Sequence, residues 1–280
     1  MIHSKPELLD FYHFKNEFMK SAIKKCFSGE RWVKLFLIDS HHGFKHANQV
    51  RLASLKIINN LDKKERKLFL KECKSISGKN SFECGVAVVE IASIFHDCGR
   101  FDSRGNIVLE EQKTHNRRGA KRAMEFCEKL GFIHAISYVE DAITSHDFQN
   151  YSLTPDGKPP KTLIGKIVQS SDQLGWFHPN SIHRTLKFAK VMQWPFYNSK
   201  ASFEARLNWK PQTKALDGLT VMLAQLFGPS GPSRFGITYA RKKVGSYKEE
   251  LKRNILKLAS KYKVRSRVAN IISEYEKHYS

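Results

Sequence analysis

The stretch VAVVEIASIFHDCGR, residues 86–100, sets the reading of the whole chain. Ten mostly apolar residues, Val86 to Phe95, run straight into the pair His96-Asp97, with Gly99 and Arg100 behind it. Val88, Ile91 and Phe95 recur at helical spacing, and Ala92 and Ile94 add to the same apolar segment. A helix that apolar is packed on most sides, so its last residues open from the core at its C-terminal end. An adjacent imidazole and carboxylate there offer one nitrogen and up to two oxygens to a divalent metal. The competing reading is a buried helix that simply ends in polar residues.

The segments on either side supply partners. Upstream, RWVKLFLIDSHHGFKHANQVRLASLKII carries Asp39, His42 and His46 as D-x-x-H-x-x-x-H. On a helix His42 and His46 lie one turn apart, and Val50, Ala53 and Ile57 continue that face inward. Downstream, a helix from Glu110 carries Lys113, His115, Arg117, Arg118 and Arg122, packs through Ala120, Ala123, Met124 and Cys127, and ends at Gly131. The next helix is apolar at Ile136, Val139, Ala142 and Ile143 and ends in His146-Asp147. After the Pro- and Gly-rich loop QNYSLTPDGKPPK, Ile164, Ile167 and Val168 lead to Asp172 on a further apolar helix.

The rest carries less chemistry. Residues 5–26 read as an amphipathic helix, with His13 a packing or surface residue, and residues 61–83 as a charged helix followed by a polar loop. Residues 182–227 read as helical with breaks at Pro195 and Pro211, and 246–278 as a basic amphipathic helix or helix pair. No repeat, strand pattern or phosphate-binding glycine loop emerges, so an all-α chain is expected.

Composition sets the bounds. Two hundred and eighty residues, 41% hydrophobic and 27% charged, suit a globular chain of one large domain, or one domain with an extension. No run reaches the roughly 18 apolar residues of a membrane span, and the N-terminus lacks the pattern of a secretory signal. Cys26, Cys73, Cys84, Cys98 and Cys127 are odd in number and show no CxxC spacing, which suits free thiols in a reducing cytosol. A cytoplasmic protein is expected, or one delivered into another cell by a dedicated machine. The net charge is +21, and residues 178–280 hold 20 Lys and Arg against 6 Asp and Glu, so +14 of it lies in the last third. Such a surface attracts nucleotides, nucleic acids and acidic headgroups; it equally fits a lysine-rich solvated face.

His46, His96, Asp97 and Asp172 thus offer two imidazoles and two carboxylates from separate apolar helices, the way bundle cores hold catalytic divalent metals. His115 and His146 are candidates for a second metal site bridged by Asp97, or for contacts to a phosphate.

In this order the residues resemble the HD superfamily of metal-dependent phosphohydrolases, nearest in layout to small bacterial HD-domain nucleotide phosphohydrolases. The D-x-x-H-G-x-x-H-x-x-x-V-R-like opening is similar to Asp39, His42, Gly43, His46, Val50 and Arg51. The H-D-x-G-K/R helix end is similar to His96, Asp97, Gly99 and Arg100, and a K-x-H-x-x-x-(S/G)-A segment to Lys113, His115, Gly119 and Ala120. Ala142, Ile143 and His146 resemble an A-I-x-x-H element, and Ser171, Asp172, Gln173 and Leu174 an A-D-x-L element. Ser170 and Gly175 stand where the family often has further acids. His146-Asp147 and PDGKPP replace the His-His pair and G-Y-P signature of the HD-GYP phosphodiesterases.

The resemblance spans about residues 33–176 and implies an HD-domain helical bundle over 33–177. An N-terminal helix in 1–32 would pack on it, and 178–280 would form a basic, mostly helical extension. It implies a divalent metal (Mn, Fe, Ni, Co, Zn or Mg) on His46, His96, Asp97 and Asp172, lowering the pKa of a water from about 15.7 towards about 7. Asp97, His115, His146 and Arg100 would be catalytic, His115 or His146 protonating the leaving oxygen, while Lys113, Arg117 and Arg118 hold phosphate oxygens. The substrate would be a phosphate-containing small molecule, most simply a nucleotide. Two other readings stay open: a metal-dependent nuclease on DNA or RNA, and a catalytically weak protein acting as a nucleotide sensor or a membrane- or partner-binding module.

Overall fold

The computed structural model describes residues 44–77, 81–100, 114–129, 131–146, 158–178, 181–191, 193–209, 216–227 and 235–279. Among these the chain is all-α, with no strand. It divides into two compact units, Met1–Asp172 and Gln173–Ser280. The amphipathic segment 5–26, His13, Asp39, His42 and Lys113 lie outside the described residues.

In the first unit, α1 (Phe44–Asn59), α2 (Lys63–Ser77), α3 (Ser81–Phe95), α4 (His115–Lys129) and α5 (Ile136–Ser145) are followed by α6 (Leu163–Phe177), which runs on past the division between the units. Helix α3 is the centre, packing against α1, α2, α4 and α5. Its apolar run explains this, since Val88, Val89, Ala92, Ile94 and Phe95 are all buried. The helix starts at Ser81, so the last residues of the expected polar loop form its first turn.

Local chemistry sets several boundaries. Asp62 and Glu65 form a reciprocal box at the start of α2, each carboxylate accepting from the other's backbone N–H at 2.8 and 3.2 Å. Gly131 ends α4 as expected: at φ +72° it lets its own N–H and that of Phe132 return to Glu128 and Cys127. The start of α6 is held by two carboxylates. Glu72 accepts from the N–H groups of Leu163 and Ile164, and Asp141 from those of Lys161 and Thr162. Burial raises the pKa of Glu72.

In the second unit, α7 (Ser181–Val191), α8 (Phe203–Leu207), α9 (Gly218–Phe227), α10 (Thr238–Lys261) and α11 (Arg265–Tyr279) follow. Leu219, Met222, Leu223 and Leu226 of α9 pack with Leu251 and Ile255 of α10 and Val268, Ile272 and Tyr275 of α11. The basic segment expected over 246–278 is a pair of helices, and the first begins at Thr238, upstream of the expected start. A buried ion pair braces this unit. Arg206 donates to both oxygens of Asp217 at 2.7 Å and to the carbonyl of Asn198, and Asp217 also accepts from the N–H groups of Asn198 and Thr220. No helix among the described residues is long and apolar enough to cross a membrane.

Candidate metal centre

Six side chains from five helices of the first unit converge. His46 lies in the first turn of α1, His96 and Asp97 just past α3, His115 at the start of α4, His146 at the cap of α5 and Asp172 within α6. His46 Nε2 is 3.0 Å from Asp172 Oδ1, 3.2 Å from His96 Nε2 and 3.6 Å from Asp97 Oδ2. His96 Nε2 is 3.4 Å from Asp97 Oδ2 and 3.8 Å from Asp172 Oδ1. The other oxygen of Asp97 faces the remaining imidazoles, with Oδ1 3.5 Å from His115 Nε2 and 3.6 Å from His146 Nε2. Asp97 therefore stands between two pairs of histidines. Two groups bring their ligand atoms within 4.8 Å of one another, His46/His96/Asp172 and His96/Asp97/His146.

The donor set fits a divalent cation. Nδ1 of His96 lies 2.7 Å from the carbonyl of Ser93, and Nδ1 of His146 lies 2.6 Å from that of Ile143. A carbonyl only accepts, so each Nδ1 carries a proton and each Nε2 is the ring atom turned to the centre. Two imidazole nitrogens and a carboxylate oxygen so close together repel unless a positive charge sits among them, either a shared proton or a metal ion. The pKa directions agree. Burial drives His46 down to about 4, against its contacts to Asp172. His96, also buried, is raised to about 9 because Asp97 and Asp172 outweigh the loss of solvent. Burial alone would raise Asp172, but the hydrogen bond with His46 and the charge of His96 hold it well below the carboxylate range. Buried His and Asp groups here could hold a metal ion.

The scaffold behind the ligands is specific. Ser54 on α1 bonds Ser93 on α3 at 3.0 Å and donates to Ser171 on α6 at 2.9 Å, while Ser171 donates to Ile167 O at 2.7 Å. These buried hydroxyls link the three helices that position His46, His96 and Asp172. Also on α1, Arg51 pairs with buried Glu90 of α3 at 2.6 Å. At the opposite side of Asp97, a Cβ on Gly99 would fall on the carbonyl of His115 and lie 2.6 Å from Gly119 N. The absence of side chains at 99 and 119 lets α4 approach the turn closely enough to bring His115 in. Asn116 Nδ2 donates to Thr144 O at 2.9 Å, tying the start of α4 to the end of α5, where His146 sits.

The basic candidates separate. Arg100 Nε donates to Asp97 Oδ1 at 2.7 Å, so its guanidinium is at the centre. Arg118 and Arg122 donate instead to the carbonyls of Gly99 and Cys98, bracing the turn that follows Asp97. Arg117 is exposed. Nothing in the sequence marks Ser54, Ser93 or Asn116, because a hydroxyl or amide within a helix gives no periodic signal until its partner is known. Comparison with known protein families, with curated proteins and with solved structures finds no significant match for this chain.

Proposed function

We propose that the first unit is a divalent-metal-dependent phosphohydrolase of the HD type, acting on a nucleotide or small phosphate ester. The carrying observation is the convergence of His46, His96, Asp97, His115, His146 and Asp172, in the order of the HD motifs, with Asp97 between two histidine pairs. His46, His96, Asp97 and Asp172 would hold the ion, and His115 and His146 are the residues to contribute to a second. Such an ion supplies Lewis-acid polarisation of a phosphoryl oxygen and an acidified water.

The chain's own groups do the rest. Ser93 and Ile143 fix the ring orientation of His96 and His146 through Nδ1, which leaves Nε2 as the atom that exchanges a proton or lone pair. Where a single ion is bound, His115 and His146, with side chains 0% and 1% exposed and Nε2 beside Asp97, are the groups placed to protonate a leaving oxygen. Arg100, held on Asp97, brings the planar donor fork that suits phosphate oxygens, and exposed Arg117 is a second candidate. Burial of the histidines keeps bulk water out, while the side chains of Asp172 and Arg100, 14% and 11% exposed, mark the edge open to solvent.

A phosphate-release screen over nucleotides and phosphate monoesters, with added Mn, Co, Ni or Mg, tests the reading. Turnover that is lost in His115→Gln and His146→Gln with metal retained is expected. A chain that holds metal stoichiometrically and releases phosphate from nothing would instead be a sensor. A nuclease is the second reading, favoured by the +14 charge of residues 178–280. Cleavage of labelled single-stranded DNA or RNA with no release from small substrates would select it.

A further inference from the structure

We propose that the α10–α11 hairpin of the second unit is a docking surface for the phosphate backbone of single-stranded nucleic acid. Residues 251–273 carry seven Lys and Arg and no Asp or Glu. One of them, Lys252, is paired with Glu276. The other six, Arg253, Lys257, Lys261, Lys263, Arg265 and Arg267, are all exposed, and none is paired with a carboxylate among the described residues. The glutamates of the hairpin, Glu249, Glu250, Glu274 and Glu276, flank this stretch; the six cations between them repel one another, and two sit in the first turn of α11, where the helix dipole disfavours positive charge. A surface that costs stability in the free protein is relieved by a polyanion.

The arrangement favours a polymer of evenly spaced phosphates. Arg253, Lys257 and Lys261 follow each other at four-residue steps along α10, opposite the buried residues Leu251, Ile255 and Ala259. They form a line with rises of about 6 Å per step; Lys263 lies in the turn that follows, and Arg265 and Arg267 in the first turn of α11. Half of the six are arginine, which grips phosphate with two parallel hydrogen bonds. Tyr262 sits in the turn itself, stacked on Phe196 at 4.5 Å yet 53% exposed, a held aromatic ring of the kind on which an unpaired base stacks. A helix that lies in a bilayer surface inserts apolar side chains beside its charges. The only large exposed apolar side chains of this unit, among the described residues, are Tyr262 and Tyr279.

The inference does not rest on the metal centre, and its test removes metal. Full-length protein in EDTA is titrated into a fluorescein-labelled single-stranded 20-mer and read by anisotropy between 50 and 300 mM salt. Six phosphate contacts predict a slope of log K against log salt of about −4, at roughly 0.7 per contact. The Arg253→Gln/Lys257→Gln/Lys261→Gln variant should lower that slope by about 2 and weaken binding about a hundredfold at 0.1 M salt. Tyr262→Ala should weaken binding with the slope unchanged. Circular dichroism and melting checks that these exposed substitutions leave the fold intact. Equal binding by wild type and the triple variant would overturn the proposal. So would tighter binding of a duplex of equal length, or binding to phosphatidylserine vesicles with none to the oligonucleotide.

Discussion

Replacing Ser54 by alanine should separate the stability of the ligand-bearing helices from their alignment. The change deletes one oxygen that bonds Ser93 at 3.0 Å and Ser171 at 2.9 Å, across three helices and with no access to water. Two neutral hydrogen bonds at about 1 kcal/mol each predict a loss of about 2 kcal/mol. In a unit of this size that lowers Tm by roughly 4–8 °C. The triple variant Ser54→Ala/Ser93→Ala/Ser171→Ala removes donors and acceptors together, so no hydroxyl is left without a partner, and most of the stability should return. Metal affinity should not return with it. The hydroxyls set the register between the helices carrying His46, His96 and Asp172, and loss of such a supporting shell costs about 10–100-fold in affinity. Urea unfolding of the metal-free proteins gives the stabilities, and titration with Mn or Ni followed by calorimetry gives the affinities. Wild-type affinity in both variants would refute the positioning role of the serines.

Three further outcomes follow from other parts of the molecule. Gly99→Ala places a Cβ on the backbone of α4; thermal melting should show a loss of about 1–3 kcal/mol, with reduced metal uptake because the turn that carries Asp97 is displaced. In metal-free protein the two histidines His46 and His96 together should contribute most stability near pH 6.5. His46, lowered from 6.5 to about 4, contributes stability that is lost as pH falls through that range, and His96, raised to about 9, contributes stability lost as pH rises from 6.5 through 9; urea midpoints from pH 4 to 9 in EDTA that rise monotonically would contradict this. Arg206→Met leaves the Asp217 charge buried without its cation and should cost about 3–5 kcal/mol, whereas Arg206→Met/Asp217→Asn, which removes the charge and keeps an oxygen for the N–H groups of Asn198 and Thr220, should recover part of it in the same unfolding assay.

What could be read from residues alone follows a physical divide. The apolar run ending in His96-Asp97 announced a core helix, because burial on most sides leaves a compositional trace, and Asp172 and His146 were legible for the same reason. Helix starts were less so: Ser81 and Thr238 begin helices upstream of the strongest apolar periodicity, where few residues are buried. Arg118 is expected to hold phosphate from its charge and its place near His115; that its long side chain also reaches the carbonyl of Gly99 has no trace in the sequence. The serine links and the Arg206–Asp217 pair join positions 11 to 117 residues apart through single polar atoms. Nothing local marks such partners in advance. Gly99 and Gly119 stand at motif positions in the sequence, and their reason is steric, the close passage of α4 over the turn.

The central claim is that His46, His96, Asp97 and Asp172 hold one divalent ion in common. Elemental analysis of purified protein, wild type beside His46→Ala, Asp97→Ala and Asp172→Ala, tests it most directly. Wild type should carry at least one equivalent of a transition metal and each variant should lose most of it, with helicity by circular dichroism retained. Wild-type protein that takes up no metal when dialysed against Mn, Ni or Zn, or variants that retain a full equivalent, would contradict it.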